Sequence, residues 1–507
     1  MTLHPTYAHP RARDYRRPGG PWDVPSLDAL LSAAVAGATN DVLVDGPAGA
    51  RLDGTAVEAR VAALAGGLRE AGVRRGHVVA WQLPNWHEAV LLYRACWRLG
   101  AISAPLHHQA GSSDVARMLA VLDATIVLSP DDVRGRDRGR FAQLGEGRPV
   151  TRSAARASDL AVALFTSGSS GEPKVALHTQ RGLAYKGRVM AHAHGLRSSD
   201  AILMPAPLAH ISGLLNAVLI PGLVPMRAVL MDRWSPEVAL DVIGSERISF
   251  MIGPPTFFVG LTGAPGLTRE RIASLRLVSS GGAGVTPAFV SAASDALGCR
   301  VKRTYGSTEA PTVTTSTAHD PVACARDTDG HAVGEVELRV SDPDTGHELP
   351  LDTVGELWLR GPELFVGYAR TEQTRAALHR GWFRTGDLAR VDADGWLTIA
   401  GRIKDIIIRG GENISAAEVE SVLEAHPRVA QAVAVGYPDP VLGERVCAFV
   451  VASGHFGIDD GRAWFEQRGV ARFKAPERVV LVDELPLLAA GKADRAALKE
   501  RAARAGS

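Results

Sequence analysis

Residues 165–174 read FTSGSSGEPK, and they continue the apolar run LAVALFT (160–166) without a break. A run that empties into alternating hydroxyls and glycines and then a lysine is either a flexible spacer or a loop shaped around an anion. In the second reading Gly168 and Gly171 let successive backbone N–H groups converge on one anion. Thr166, Ser167, Ser169 and Ser170 add hydroxyls, and Lys174 adds a positive charge. Spacers seldom follow directly on a buried strand, which favours the anion loop. It is not a Walker A loop, which needs Gly-Lys followed by Ser or Thr; here Lys174 stands between Pro173 and Val175. An ordinary P-loop ATPase or kinase is thereby disfavoured.

Working outward, the strand that feeds this loop has counterparts. VVAW (78–81), RISFMIG (247–253) and LRLVSSGG (275–282) are further apolar runs, the last two ending in glycine. Helical patterns alternate with them. Thr55-Ala-Val-Glu58 has the form of a capping box for a helix through Leu64, Leu68 and Ala71 that stops near Gly72, and Asn85 is placed to cap a second helix through Leu99. The alternation predicts an α/β fold with a mainly parallel sheet, whose ligand sites gather at the carboxyl ends of the strands.

Near residue 400 the texture changes. Asp392-Ala-Asp-Gly395 reads as a hairpin turn, and GWLTIAGRIKDIIIRGG supplies strands on either side of Gly401-Arg402. Ser415-Ala-Ala-Glu418 is a second capping box, for a helix ending at His426-Pro427. VAQAVAVG and RVCAFVVA then read as strands around the turn YPDPVLGE. The expectation is a large N-terminal α/β domain of layered sheets and helices over 1–402 and a small, mobile C-terminal α+β domain over 403–507.

Composition agrees with an enzyme of more than one core. A chain of 507 residues exceeds what one core sustains, and 56 Lys+Arg against 55 Asp+Glu leave a net charge of +1, which gives no reason to expect a nucleic-acid or acidic-membrane partner. Cys96, Cys299, Cys324 and Cys447 show no CxxC spacing, as expected of reduced thiols in a cytoplasmic protein. The N-terminal MTLHPTYAHPRARDYRRPGG lacks the apolar centre of a signal peptide and reads as an extended arm. The apolar stretch Leu214 to Met231 is broken by Asn216, Pro221, Gly222, Pro225 and Arg227, so it reads as buried chain and not as a membrane span. GRDRGR (135–140) reads as a solvated loop.

TSGSSGEPK resembles the phosphate-loop signature of the adenylate-forming superfamily, which comprises acyl-CoA synthetases, adenylation domains of peptide synthetases and luciferases. Five further segments resemble that family's motifs in the family's order: PLAHISG (207–213), TYGSTE (304–309), TGD (385–387), GRIKDIIIRGGENIS (401–415) and GKADR (491–495). The resemblance spans essentially the whole chain. It implies a two-step reaction: a carboxylate attacks the α-phosphate of ATP to give acyl-adenylate and pyrophosphate, and a thiol, usually of coenzyme A, then displaces AMP. ATP, Mg²⁺ and coenzyme A are the implied cofactors.

The same resemblance assigns roles. Residues Thr166, Ser167, Gly168, Ser169, Ser170, Gly171 and Lys174 would hold the phosphates; Glu309 matches the magnesium-associated carboxylate, and Thr308 the hydroxyl on the α-phosphate. Tyr305, with its neighbours Thr304, Gly306 and Ser307, would pack against adenine, and Gly281, Gly282 and Ala283 would form the opposite wall. Asp387 would accept from both ribose hydroxyls, with Arg402 as a second ribose or phosphate contact. Lys492 would bridge the substrate carboxylate and the α-phosphate. Lys404 matches the hinge about which the small domain would rotate, and Gly410 and Gly411 the turn lining the pantetheine path. His210 matches a residue that gates the acyl pocket, so the implied catalytic set is Lys492, His210, Glu309, Thr166 and Lys174. Taken alone each motif has a plainer reading: TYGSTE as a turn and helix N-cap, TGD as a surface turn, Arg402 as a surface charge, His210 as a structural histidine.

Amino-acid-activating relatives usually carry an aspartate near His210, and PLAHISGLLNAV has none, which points to an acid without an amino group. Pocket candidates are Ile211, Leu214, Leu215 and Ala217, Pro255 to Phe258 including Phe257, and Gly282-Ala283-Gly284. The stretch from 78 to 111 looks most like ligases for medium-chain or alicyclic acids of the cyclohexanecarboxylate type. Two departures stand out: Val175 replaces a glycine after the phosphate loop, and Leu487-Leu488-Ala489-Ala490 replaces the usual basic and hydroxyl residues before Gly491-Lys492. The favoured reading is a carboxylic acid:CoA ligase acting on a small-molecule acid, with a homodimer as a permitted assembly. An enzyme loading a carrier-protein pantetheine arm, a non-catalytic nucleotide-binding relative and a luciferase-like oxygenase are the alternatives.

Overall fold

A computed structural model describes residues 3–46, 49–135, 139–166, 174–488 and 491–504. Among these residues four sheets form. The largest has nine strands in the order 331–332, 314–315, 300–305, 277–281, 250–253, 201–204, 227–230, 41–45 and 51–53. Its six inner strands, from 300–305 to 41–45, run parallel, and the strands beyond them are antiparallel. The second sheet orders 124–128, 78–81, 102–105, 160–166 and 174–179, the first four parallel and the last antiparallel.

Helices Gly54–Glu70, His87–Leu99 and Gln180–Ala193 pack with both sheets into one core, in which Trp81 and Val162 from the five-stranded sheet meet the same cluster as Ile202 and Ile252 from the nine-stranded one. Strands covered on both faces need no polar side, which is why VVAW and LAVALF are apolar throughout. A third, antiparallel sheet (337–341, 355–360, 382–391, 378–379, with 397–402 added beside 382–391) closes the large α/β domain. The smaller C-terminal domain has its own sheet, 412–415, 406–409, 443–452 and 429–439, with 478–481 parallel to 443–452, and cores on both faces.

Local expectations fare unevenly. The strand Leu160–Thr166 and the hairpin around residues 392–395 form as read, and Leu214 to Met231 divides into a π-helical turn (Leu214–Leu219), a short helix and a strand. Ser415 caps helix Ala416–Glu424 by accepting from the Glu418 N–H, while the Glu418 side chain goes to Lys474 instead of closing the box. At helix Gly54–Glu70 the cap is Asp53, whose Oδ1 accepts from the Ala56 N–H at 2.7 Å, and not Thr55; Glu58 is turned toward Arg94 and Arg98. Asn85 caps nothing. It is buried, donates to the carbonyls of Met204, Ala206 and Met231 and accepts from the Leu208 N–H at 2.8 Å, tying the two parallel sheets together at their carboxyl ends.

The N-terminal arm is docked, with Leu3, His9, Tyr15 and Trp22 buried and Trp22 donating to the Pro362 carbonyl. Residues 136–138 of GRDRGR lie outside the described residues, and Gly139 opens helix Gly139–Gly145. All four cysteines are free, Cys96 and Cys447 buried. Among the described residues no helix is long and apolar enough to cross a membrane.

Candidate active site

The sequence-predicted residues gather where the parallel strands of the large sheet end and where the C-terminal domain meets it. Thr304 and Tyr305 end strand Arg300–Tyr305, and the chain then turns through Gly306–Glu309 without forming a helix, which sets aside the N-cap reading of TYGSTE. The Tyr305 hydroxyl donates to Asp387 Oδ2 at 2.6 Å, and the Arg402 Nε lies 2.7 Å from Asp387 Oδ1. Asp387 and Arg402 face each other in adjacent strands, so the sheet register fixes the pair. Burial and the negative charge of Asp387 push the Tyr305 phenol well above its usual range, keeping it a donor. A carboxylate has about four lone-pair sites; two donors leave room for two more.

On the phosphate side, Thr166 and Lys174 face each other across the hairpin that closes the five-stranded sheet. Ser167, Gly168, Ser169, Ser170 and Gly171 lie outside the described residues. Val175 is buried in the returning strand, paired with Phe165. The Lys174 ammonium sits 5.4 Å from the centre of the Tyr368 ring, and the Tyr368 hydroxyl donates to Glu309 Oε1 at 2.6 Å. Burial and the Glu309 charge hold that phenol above its ordinary value. The fully buried His178, whose pKa burial lowers to about 4, places Nε2 2.8 Å from the Thr308 carbonyl; as a neutral ring it donates there and fixes the backbone beside Glu309.

On the acid side, Gly281 ends strand Leu277–Gly281 so close to the neighbouring strand that a Cβ would run into the Thr304 carbonyl. Gly282, Ala283 and Gly284 are exposed beyond it, and a Cβ on Gly282 would stand 3.4 Å from Lys492 Cε. Lys492 is therefore delivered by the C-terminal domain to the wall of the cleft. Burial lowers its pKa, as do the charges of Arg402 and Lys404, while Asp387 and Glu309 oppose the shift. His210 is lowered to about 3 by burial and then by His107, Lys492 and His108, so it is a neutral imidazole across the working pH range. Leu214, Leu215 and Ala217 are buried in the main core, whereas Ile211 is half-buried. Phe257 stacks on Trp234 with ring centres 4.7 Å apart, and the Thr256 hydroxyl is committed to the Gly491 carbonyl.

Lys404 lies in the short 3₁₀ turn after Arg402, and Gly410 and Gly411 form the turn between strands 406–409 and 412–415, where the Gly410 N–H donates to the Leu442 carbonyl. That contact is internal to the C-terminal domain. Sequence reasoning missed Tyr368, His178, Trp234 and the pair His107-His108. The histidines stack at 4.8 Å, and His107 meets the His210 ring edge-on at 5.4 Å. Their signal was two imidazoles directly after a strand end, at Pro105-Leu106.

Residues 32–369 match the family described as AMP-binding enzyme, and residues 418–492 match the AMP-binding enzyme C-terminal domain. The chain belongs to the AMP-binding enzyme family. It is an adenylate-forming ligase of the acyl-CoA synthetase kind. A medium-chain fatty-acid–CoA ligase of Escherichia coli is 32% identical over 99% of this chain and 94% of its own. A feruloyl-CoA synthase of an Amycolatopsis species is 32% identical over 87% and 92%. Among solved structures, ATP-bound MatB from Rhodopseudomonas palustris superposes with a TM-score of 0.84 at 28% identity, covering 94% of this chain and 98% of its own. Its apo form gives 0.76 over 95% and 99%.

Proposed function

We propose that this enzyme joins a carboxylic acid lacking an amino group, aliphatic, alicyclic or aromatic, to coenzyme A at the expense of ATP. The observation that carries this reading is the seating of Lys492 against Gly282, within the electrostatic reach of His210, Asp387 and Arg402. Its ammonium offsets two anions that must approach each other, the substrate carboxylate and the α-phosphate. An acid oxygen attacks the α-phosphorus, the bond to pyrophosphate breaks, and the acyl-adenylate remains. In the second step a thiol sulfur attacks the acyl carbon and AMP leaves. Asp387 accepts from the ribose, Tyr305 lies on adenine, and Thr166 and Lys174 steady the phosphates with the loop between them.

Glu309 fits a magnesium ion by donor type: a buried carboxylate held by one phenol retains oxygen lone pairs for a hard cation shared with phosphate oxygens. When bound, that ion would neutralise charge on the phosphates. The chain is proposed to divide into 1–402 and 403–507, with Lys404 at the hinge and Gly410-Gly411 reaching the pantetheine path after the small domain turns. The present arrangement superposes better on the ATP-bound than on the apo form of MatB, which supports its reading as the adenylating arrangement. The neutral His210 and the absence of an aspartate from residues 207–218 support an acid without an ammonium group. The relatives named as CoA ligases support aliphatic and aromatic acids and coenzyme A as acceptor, with a carrier-protein acceptor the less favoured reading. Four free thiols support a cytoplasmic setting.

Pyrophosphate release from ATP and Mg²⁺ over a panel of fatty, alicyclic, aromatic and amino acids, each with and without coenzyme A, tests this reading. CoA-dependent turnover with a class of non-amino acids is expected. Turnover confined to amino acids, or none with a folded protein, would refute it.

A further inference from the structure

Helix Pro255–Thr262 begins with Pro255 after the N-cap residue Pro254, and no side chain caps its N-terminus although Thr256 sits in its first turn. The Thr256 hydroxyl is used elsewhere: Oγ1 donates to the Gly491 carbonyl at 2.8 Å, across 235 residues of sequence and from the large domain to the small one. Gly491 has φ of +76°, and a Cβ there would meet Pro254 Cγ at 3.1 Å and Phe257 Cε1 at 3.3 Å. Pro254, Thr256 and Phe257 thus form a socket that admits glycine in a left-handed conformation and closes tightly on anything larger. The turn that enters the socket has its own shape, with the Gly491 N–H donating to the Leu488 carbonyl and the Leu488 N–H to the Lys492 carbonyl. These bonds tie Leu488 to Gly491 and Lys492, and the socket sets the position of Gly491 and, beside it, of Lys492 over Gly282.

Resting on the two-step ligase reading, we propose that Thr256 is a positioning residue for the first step alone: its bond to Gly491 holds Lys492 at the cleft during adenylation and must break before the thiol can be admitted. Thr256 touches no reacting atom in this assignment. Its effect is exerted through the backbone next to Lys492.

The test uses the full chain and Thr256→Val, which keeps shape and removes the donor. Acid-dependent ATP–pyrophosphate exchange should fall about five- to tenfold, the weight of one hydrogen bond, with little change in the KM for ATP. Conversion of supplied acyl-adenylate by coenzyme A should fall clearly less than exchange does, because that step does not use the lost bond. Thr256→Ser should restore exchange, and trypsin should cleave after Lys492 faster in the valine variant than in the parent, with no substrate present. Equal loss in both half-reactions would mark Thr256 as merely structural. Unchanged exchange and unchanged cleavage would likewise overturn the assignment. If Thr256→Val does not fold, Gly491→Ala crowds the same contact from the other domain, and the same division between half-reactions is required. Should no acid drive exchange in the parent, the ligase reading fails, and the cleavage rates still decide whether the socket holds the lysine.

Discussion

Asp387 and Lys492 face the same cleft, yet they are held there by different means. Asp387 lies on a ten-residue strand, is opposed in register by Arg402, receives the Tyr305 hydroxyl and is almost wholly buried. Among the described residues, Lys492 is seated through one neutral hydrogen bond, from Thr256 to the neighbouring Gly491, and through the fit of that glycine against Pro254 and Phe257. A neutral hydrogen bond contributes about 1 kcal/mol, which thermal motion breaks readily, whereas a buried carboxylate stripped of its donors leaves an uncompensated charge. The difference follows the reaction. On the proposed roles, the nucleotide is present in both half-reactions and its anchor is wired in, whereas the lysine serves one and is docked.

The sharpest way to break this contrast is Lys492→Ala. Loss of a charge aimed at the reacting phosphate should lower adenylate formation by about 10²–10³-fold. Thioester formation from supplied acyl-adenylate should persist, and rapid-quench assays of each half-reaction would show it. Equal loss in both steps would mean that the lysine belongs to the permanent site.

Tyr305→Phe probes the other side with a smaller effect. It removes a donor from a carboxylate, a bond weighing about 1.5–3 kcal/mol, so binding of both ATP and acyl-adenylate should weaken by about tenfold or more. Here the two half-reactions should suffer together, seen as a raised KM for each nucleotide in steady-state kinetics. A loss confined to adenylation would undo the distinction drawn between the two regions.

The contrast also explains what could be read from the chain. Strand Leu160–Thr166 was legible because burial on both faces leaves an unbroken apolar run, and Gly and Ser then mark its end. The motifs TGD and GRIKD marked Asp387 and Arg402 as candidates, while the register that pairs them across two strands is written in neither. Tyr368 was not: its bond to Glu309 spans 59 residues, and nothing near GYAR signals a partner. Asn85 was misread for a related reason. A short polar residue ahead of a helix suits a cap, but three carbonyls at the strand ends of the other sheet offered it more. The Thr256–Gly491 contact is of the same kind, since a docking contact between domains leaves no pattern within either.

The last expected effect is read in stability and not in rate, and concerns pH and the docked side. Glu424 ends helix Ala416–Glu424 of the small domain, accepts from the Ala432 N–H at 3.1 Å and lies in hydrogen-bond reach of Thr286, which caps helix Pro287–Leu297 of the large one. Burial raises its pKa from 4.5 to about 7; the Ala432 N–H opposes the rise, Glu420 adds to it, and Thr286 and Arg495 oppose it. Below pH 4.5 the carboxyl is protonated whether the chain is folded or not, and it has no effect on the balance. Between about 4.5 and 7 the unfolded chain releases a proton that the folded one keeps, so stability declines with rising pH, at most by about 1.4 kcal/mol per pH unit. Above 7 the loss is complete. Glu424→Gln keeps an acceptor for Ala432 and removes the charge; its melting temperature should match the parent's near pH 5 and exceed it at pH 8. The gain arises because a charge between two domains is poorly solvated only while they are docked. Melting curves that stay parallel across this range would show that the interface is not titrated through Glu424, and the docked side would then be as indifferent to pH as the wired-in one.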